Sequence, residues 1–341
     1  MRRRTVAIGA AALLSAVALG VVAPVTGAQS PNAGAPLVVG VGAGEKTVAG
    51  QAFLPGDVTV LTGSSVTFTI TSDEPHTITF GDGPKDAAPP FWPVTGFTAP
   101  AANTPPPYDL GTATYSGTEF LNTGILPGKT SKATVQFTKA GTFPFFCAIH
   151  PGMAGQVTVV DSGTATTQAE ADAAGAQTRD LLLGQVDQMR KDRLAATTST
   201  ANADGTTTYN VFTDGGTGTA APMPGGGTGF LELLEYTPPK IDIKAGDSIS
   251  WSASAPHTVT FVPDGTDPGT VFASEQAAFA PLGGTSYDGT AAVSSGVFLF
   301  PVDPSTPPVT TYTLTFPKAG TYGFFCLLHS DLGQVGQVVV S

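Results

Sequence analysis

Apolar and hydroxyl-bearing residues alternate along much of this chain. Val58-Thr59-Val60 and Val66-Thr67-Phe68-Thr69-Ile70 put every second side chain in an apolar set, and Ile241-Asp242-Ile243 and Ser248-Ile249-Ser250-Trp251 do the same. A period of two between Gly- and Pro-rich turns predicts strands with one buried face, packed as a β-sandwich. Gln337-Val338-Val339-Val340 predicts a closing strand. One stretch departs from this period. Thr167 with Glu170 makes a capping box, and Leu182, Val186 and Met189 follow at helical spacing. They predict a helix over residues 167–195 whose apolar stripe packs against a domain or a partner subunit. Residues 197–208 and 215–229 predict loops, the second flexible because of Gly225-Gly226-Gly227.

The pattern occurs twice. Lys139-Ala140-Gly141-Thr142-Phe143-Pro144-Phe145-Phe146-Cys147 returns as Lys318-Ala319-Gly320-Thr321-Tyr322-Gly323-Phe324-Phe325-Cys326, and Tyr115-Ser116-Gly117-Thr118 returns as Tyr287-Asp288-Gly289-Thr290. Duplication of one module is the direct reading. The expected organisation is all-β: a first domain over 29–160, a helical linker over 161–205 and a second domain over 206–341. A length of 341 residues allows each domain its own core.

Composition adds a compartment. Arg2, Arg3 and Arg4, an apolar run over residues 6–22 and small residues ending at Ala28 predict an export signal over 1–28. With no cysteine near the cleavage point, a lipid anchor is not expected, nor is stable membrane insertion after cleavage. The expected product is a soluble secreted or periplasmic protein. Losing three of the 15 Lys and Arg residues leaves 12 against 26 acidic ones, a net charge near −14. That charge argues against nucleic acid and anionic lipid, and favours a partner with a basic docking surface.

The chain holds two cysteines and four histidines, and one pattern uses them all. Pro75-His76-Thr77 precedes Cys147-Ala148-Ile149-His150, and Pro256-His257-Thr258 precedes Cys326-Leu327-Leu328-His329. A disulfide between Cys147 and Cys326 would explain neither the histidine three residues after each cysteine nor the matching upstream histidines. Two imidazoles and one thiolate are what a mononuclear copper electron-transfer site requires.

These residues resemble the cupredoxins, the plastocyanin- and amicyanin-like type 1 blue copper proteins, over roughly residues 36–160 and 206–341. Ala52-Phe53-Leu54-Pro55-Gly56-Asp57, running through Gly63 to Pro75-His76, is similar to the first half of plastocyanin. The resemblance implies two Greek-key β-sandwich cupredoxin domains, each with copper near one end. It implies a first site of His76, Cys147, His150 and Met153, with a short amicyanin-like loop. The second site is His257, Cys326 and His329, with two readings of its fourth position. Counting from the cysteine gives Leu332, which cannot coordinate. Anchoring on Gly336-Gln337-Val338 gives Gln334, an amide-oxygen donor and the favoured choice. Where the family commonly has Asn after the first histidine, both copies carry Thr, Thr77 and Thr258. Family analogy places His150 and His329 near the surface, where they pass the electron.

The expected function is electron transfer outside the cytoplasm, one electron per copper, with a redox protein as partner. The amide-ligated C-terminal site is expected to have the lower potential, so electrons run from it to the N-terminal site. An extracytoplasmic copper-binding or storage protein without a dedicated redox partner is the alternative. An oxidase is not expected, because additional copper would need further histidines and the chain has none to spare. The long inserts over 81–110, with Phe91 and Trp92, and over 263–282 are expected as ordered surface loops, with capping of the copper end or partner docking as the other reading.

Overall fold

Alternation along the chain is repeated in three dimensions. In the strand Ser65–Ile70 the side chains of Val66, Phe68 and Ile70 are buried, while Ser65, Thr67 and Thr69 are half-exposed. The computed structural model describes residues 35–84, 92–274, 277, 279–299 and 307–341. The expected export signal over 1–28 and Phe91 lie outside the described residues.

The first half runs β1 (Leu37–Ala43), β2 (Val48–Leu54), β3 (Asp57–Leu61), β4 (Ser65–Ile70), β5 (Thr79–Phe80), β6 (Asp109–Tyr115), β7 (Leu121–Asn122), β8 (Lys132–Phe137), β9 (Gly141–Phe146) and β10 (Ala154–Val160). The order β6-β8-β4-β1-β2 forms one group of paired strands, and β10-β9-β5-β7, with β3 on β10, forms the other. Residues of both groups share one core, in which Phe145 meets Phe53, Phe68 and Phe80 at ring distances of 4.6–5.3 Å.

After α1 (Gln168–Leu183) and α2 (Val186–Ala195), the second half runs β11 (Thr198–Ala201), β12 (Thr207–Phe212), β13 (Gly216–Thr217), β14 (Ala221–Pro222), β15 (Thr228–Leu233), β16 (Lys240–Ile243), β17 (Ser248–Ser252), β18 (Thr260–Phe261), a short α3 (Pro268–Val271), β19 (Val293–Ser294), β20 (Thr311–Thr315), β21 (Gly320–Phe325) and β22 (Val335–Val340). The aromatic core recurs: Trp251 stands for Phe68, Phe261 for Phe80 and Phe324 for Phe145, with Phe324 at 5.5 and 5.1 Å from the other two rings. The fold is therefore mostly β, built on one pattern used twice.

A strand from the second half joins the two. β15 pairs antiparallel with β2, Leu231 opposite Gly50 and Leu233 opposite Val48, and its first residue Thr228 meets Ala154 of β10. Leu182, Val186 and Met189 pack on this junction with Leu231 and Leu233. The helical segment thus covers the shared sheet. Gly175 of α1 lies against β2 so closely that a Cβ would sit 2.9 Å from the Leu54 backbone. Only glycine allows that approach.

The helical stretch differs in detail from its sequence expectation. The capping box at Thr167 and Glu170 is present, but the helix ends at Gly184, whose N–H returns to Asp180, and a second helix begins at Val186. Gln185 N–H turns back only three residues, to the Leu182 carbonyl at 3.1 Å, and this interrupts the helical ladder between the two segments. Residues 197–208, expected as a loop, instead contribute β11 and the start of β12, an antiparallel pair turning through Asn202 and Gly205. Every β11 side chain is exposed, so an edge strand with no apolar face left no periodic signal. The glycines at 225–227 are packed, not free. Gly225 N–H donates to Thr178 Oγ1 at 3.0 Å, and the Gly225 carbonyl accepts from Asp57 N–H at 3.1 Å. In the described part of the inserts, Trp92 lies on Phe120 and Phe146, and Phe272 packs with Phe325 and Leu327. Each insert therefore leans on the phenylalanine that precedes a cysteine.

Candidate metal centres

Each centre is assembled from a strand end and a hairpin loop. His76 follows β4 and is held by reciprocal backbone hydrogen bonds with Leu126, 3.2 and 2.8 Å. Cys147 directly follows β9, and the loop to β10 closes where Phe146 pairs with Ala154. Inside that loop Cys147 N–H donates to the Met153 carbonyl, and Met153 N–H to the His150 carbonyl, both at 3.0 Å. In the second half Phe325 pairs with Val335, which leaves a loop two residues longer. There Cys326 N–H donates to the Gln334 carbonyl at 3.1 Å, and Gln334 N–H to the His329 carbonyl at 3.0 Å. Gln334 thus occupies the backbone position of Met153, and both side chains are fully buried. Leu332 is half-exposed and stands two residues earlier in the loop.

The side chains converge. His76 Nδ1 and His150 Nδ1 are 3.2 Å apart, and Cys147 Sγ lies 3.8 and 3.4 Å from them. A point equidistant from the three atoms is about 2 Å from each, the length of a first-row metal–imidazole bond. In the second half His257 Nδ1 and His329 Nδ1 are 3.1 Å apart, with Cys326 Sγ 3.6 Å from His329 Nδ1. Gln334 Oε1 is 3.1 Å from the same nitrogen, and its Nε2 donates to the Thr213 carbonyl at 2.6 Å. The amide nitrogen is thereby engaged, and the oxygen faces the centre. These are the two His–Cys–His groups among the described residues, and neither cysteine is in a disulfide. Two imidazole nitrogens facing each other at this range need a proton or a cation between them.

A family model for copper binding proteins of the plastocyanin/azurin family matches residues 41–160 and again 228–341. The chain belongs to that family, as a tandem cupredoxin. Chloroplastic plastocyanin of Tetradesmus obliquus is 33% identical over 109 residues, which is 31% of this chain and 59% of that protein. Chloroplastic plastocyanin of Hordeum vulgare is 29% identical over 115 residues, 32% of this chain and 56% of that protein. Plastocyanin B'/B'' of Nicotiana tabacum is 30% identical over 114 residues and is covered over 89% of its length. The chain thus spans somewhat under two thirds of the first two of these relatives. A copper(I) amicyanin variant of known structure is similar at 26% identity over 32% of this chain and 74% of that one, with a TM-score of 0.21. The two His–Cys–His groups fit two type 1 copper sites of this cupredoxin pair, one in each half.

Thr77 and Thr258 each join a histidine strand to a cysteine loop. Thr77 N–H donates to Cys147 Sγ at 3.4 Å, while Thr77 Oγ1 accepts from Ala148 N–H at 2.6 Å and so ties the histidine strand to the cysteine loop. Thr258 repeats both contacts, at 3.3 Å to Cys326 Sγ and 2.8 Å from Leu327 N–H. In these cupredoxin centres burial alone would push the thiols up. The charge on His150 and hydrogen bonds from both imidazoles outweigh it and hold Cys147 well below the ordinary thiol range. Cys326 is held down in the same way by His329 and His257. Burial would lower the partner histidines, yet His150 is raised to about 10 by Cys147 and Glu74, and His329 to about 10 by Glu74 and Cys326. Both shifts run in the direction that favours a thiolate beside an imidazolium, Cys147 with His150 and Cys326 with His329.

Two carboxylates complete the surroundings, and the sequence reading missed both. Glu74 Oε2 is 3.5 Å from His150 Nε2, and Glu74 Oε1 is 3.7 Å from His329 Nε2. Glu232 Oε1 is 3.4 Å from His257 Nε2, and its other oxygen accepts from Gln51 Nε2 at 3.2 Å. Ser72 Oγ lies 3.0 Å from His76 Nε2. Burial would raise Glu74, but His329, His150 and His76 bring it down to about 2. The contacts also correct the surface placement of the second histidines. His150 and His329 side chains are only 11% and 13% exposed, because they face each other across Glu74 at the junction of the halves. Two sequence signals marked these acids. Glu74 stands before Pro75 where Ala255 stands before Pro256, and Glu232 interrupts the apolar run Phe230-Leu231-Glu232-Leu233.

Proposed function

We propose that this chain is a two-centre electron carrier that works outside the cytoplasm, each copper cycling one electron between Cu(I) and Cu(II). The observation that carries the reading is the buried three-donor cage built identically in both halves. One thiolate and two imidazoles suit the soft and the harder oxidation state alike. Donors held by strand ends and backbone hydrogen bonds change little between the two, so electron exchange needs little rearrangement.

Met153 in the first site and Gln334 in the second are the axial groups of this proposal. An amide oxygen is the harder donor and favours Cu(II), so the Gln334 site has the lower potential. Electrons then run from the C-terminal copper to the N-terminal one. Each half is read as a Greek-key sandwich, over 29–160 and 206–341, with 161–205 as a helical linker and 1–28 as an export signal. A net charge near −14 after its removal suits a redox partner with a basic docking face. All four histidines of the chain are taken up by the two centres, which leaves none for a catalytic copper. The reading is therefore a carrier and not an oxidase.

Spectroelectrochemistry on Cys147→Ser and Cys326→Ser proteins, each with one centre left, tests it. The expected result is a reversible one-electron wave in each, with the lower potential in Cys147→Ser, and fast exchange with a small redox protein. Tight retention of Cu(I) with slow exchange would instead mark a storage protein, and equal or inverted potentials would refute the direction of flow.

A further inference from the structure

We propose that Glu74 bridges the two centres, so that an electron passes inside one molecule along His150, Glu74 and His329. This rests on the reading of both cages as type 1 copper. The geometry is a single carboxylate between two imidazole edges, with gaps of 3.5 and 3.7 Å. Both gaps belong to the histidines that follow the cysteines, one from each half. Glu74 is 3% exposed, and its Oε1, the oxygen that faces His329, has no hydrogen-bond partner among the described residues. A buried carboxylate oxygen left in that state is costly unless something supplies a donor.

Copper supplies it. All four Nδ1 atoms point into the cages, so a metal bound there leaves each neutral imidazole with its proton on Nε2. For His150 and His329 those N–H groups face the two oxygens of one carboxylate. Ligand histidines usually donate this proton to an acceptor that fixes the ring. Here one acceptor serves two metals. Cu(I) in one half would be oxidised to Cu(II) as Cu(II) in the other is reduced, and no proton need leave. Since tunnelling weakens steeply with distance across empty space, two short gaps joined by bonded atoms form the favoured route.

The bridge is not a by-product of the repeat. Counted back from the first histidine, the first half carries Thr71-Ser72-Asp73-Glu74-Pro75 and the second Ser252-Ala253-Ser254-Ala255-Pro256, with Ala255 at the position of Glu74. One acid from one half therefore serves both.

Pulse radiolysis of fully oxidised, copper-loaded protein with less than one electron per molecule tests the route. Absorbance is followed where the Cys147→Ser and Cys326→Ser proteins differ. Wild-type protein is expected to redistribute the electron between the centres at a rate independent of protein concentration. Glu74→Ala, with both blue bands retained, is expected to slow it at least about tenfold. An unchanged rate in that variant, or a rate proportional to concentration in wild-type protein, overturns the proposal. A second readout needs no variant. In the reduced, diamagnetic protein the Nε2 protons of His150 and His329 should both exchange slowly with solvent, and fast exchange of either overturns the bridge. Failure of the copper reading is separate, since the blue bands would be missing before any kinetics began.

Discussion

Thr77→Val removes one acceptor and leaves the branched shape of the side chain. Thr77 Oγ1 lies 2.6 Å from Ala148 N and 3.1 Å from Thr79 Oγ1, and the threonine is 1% exposed. After substitution the Ala148 N–H has lost its acceptor in a place water does not reach. An orphaned buried donor costs about 1–3 kcal/mol. For a module of this size each kcal/mol moves the unfolding temperature by about 4 °C, so the expected drop is about 4–12 °C. Thr258→Val deletes the matching bond to Leu327 N–H, at 2.8 Å, and should cost the same range. The two threonines belong to separate cores, so the double variant should lose the sum, about 2–6 kcal/mol. Guanidinium titration with fluorescence separates the halves, because Trp92 lies against Phe146 and Trp251 sits in the second core. Thr77→Val should shift the Trp92 transition and Thr258→Val the Trp251 transition. A loss below about 0.5 kcal/mol in either would refute the claim that the hydroxyl is the tie between strand and loop.

The axial assignments predict opposite shifts. Gln334→Met, measured with Cys147→Ser, should raise the potential of the second centre, and Met153→Gln, measured with Cys326→Ser, should lower that of the first. A shift of reversed sign in either would contradict them. Copper-free protein should show thiolate ultraviolet absorption from both sulfurs at neutral pH, because the imidazolium partners hold the thiols down. The raised histidines stay charged until pH passes about 10, so copper loading should release about one proton per site below that pH and progressively fewer above it. Absorption that grows in only through the ordinary thiol range, about 8.5, would refute the pairing. Asp214 is fully buried and accepts from Arg193 at 2.6 Å, from the Ser254 hydroxyl at 2.8 Å and from Gly216 N–H at 3.1 Å. Asp214→Ala should cost about 3–5 kcal/mol in a denaturant titration, and a change under about 1 kcal/mol would mean that Arg193 finds other partners.

Much of this architecture was legible because it is periodic or repeated. Val66-Thr67-Phe68-Thr69-Ile70 became a strand with the buried face its spacing implied. The two Cys-x-x-His loops came together with the upstream histidines, since duplication fixes a spacing that chance would scatter. Counting from the cysteine reaches Leu332 and counting back from the closing strand reaches Gln334, because the second loop is two residues longer. The closing strand sets the register, and the Cys326 hydrogen bond to Gln334 shows why. What stayed hidden depends on the other half of the molecule. β11 has no apolar face, and the glycines at 225–227 look mobile until Thr178 and Asp57 hold them. Glu74 reads as one more surface acid until His329 arrives from the far side. Family analogy placed His150 and His329 near solvent because it considers one domain at a time, whereas here the junction of two covers them.

The central claim is that each half bonds one copper through a cysteine sulfur. Copper counting on fully loaded, oxidised protein, with optical and electron paramagnetic resonance spectra of the same sample, tests it most directly. The account predicts two coppers per chain, an intense blue band, and one share of that band lost in Cys147→Ser and the rest in Cys326→Ser. A loaded, oxidised protein that stayed colourless, or a band that survived loss of both sulfurs, would contradict it.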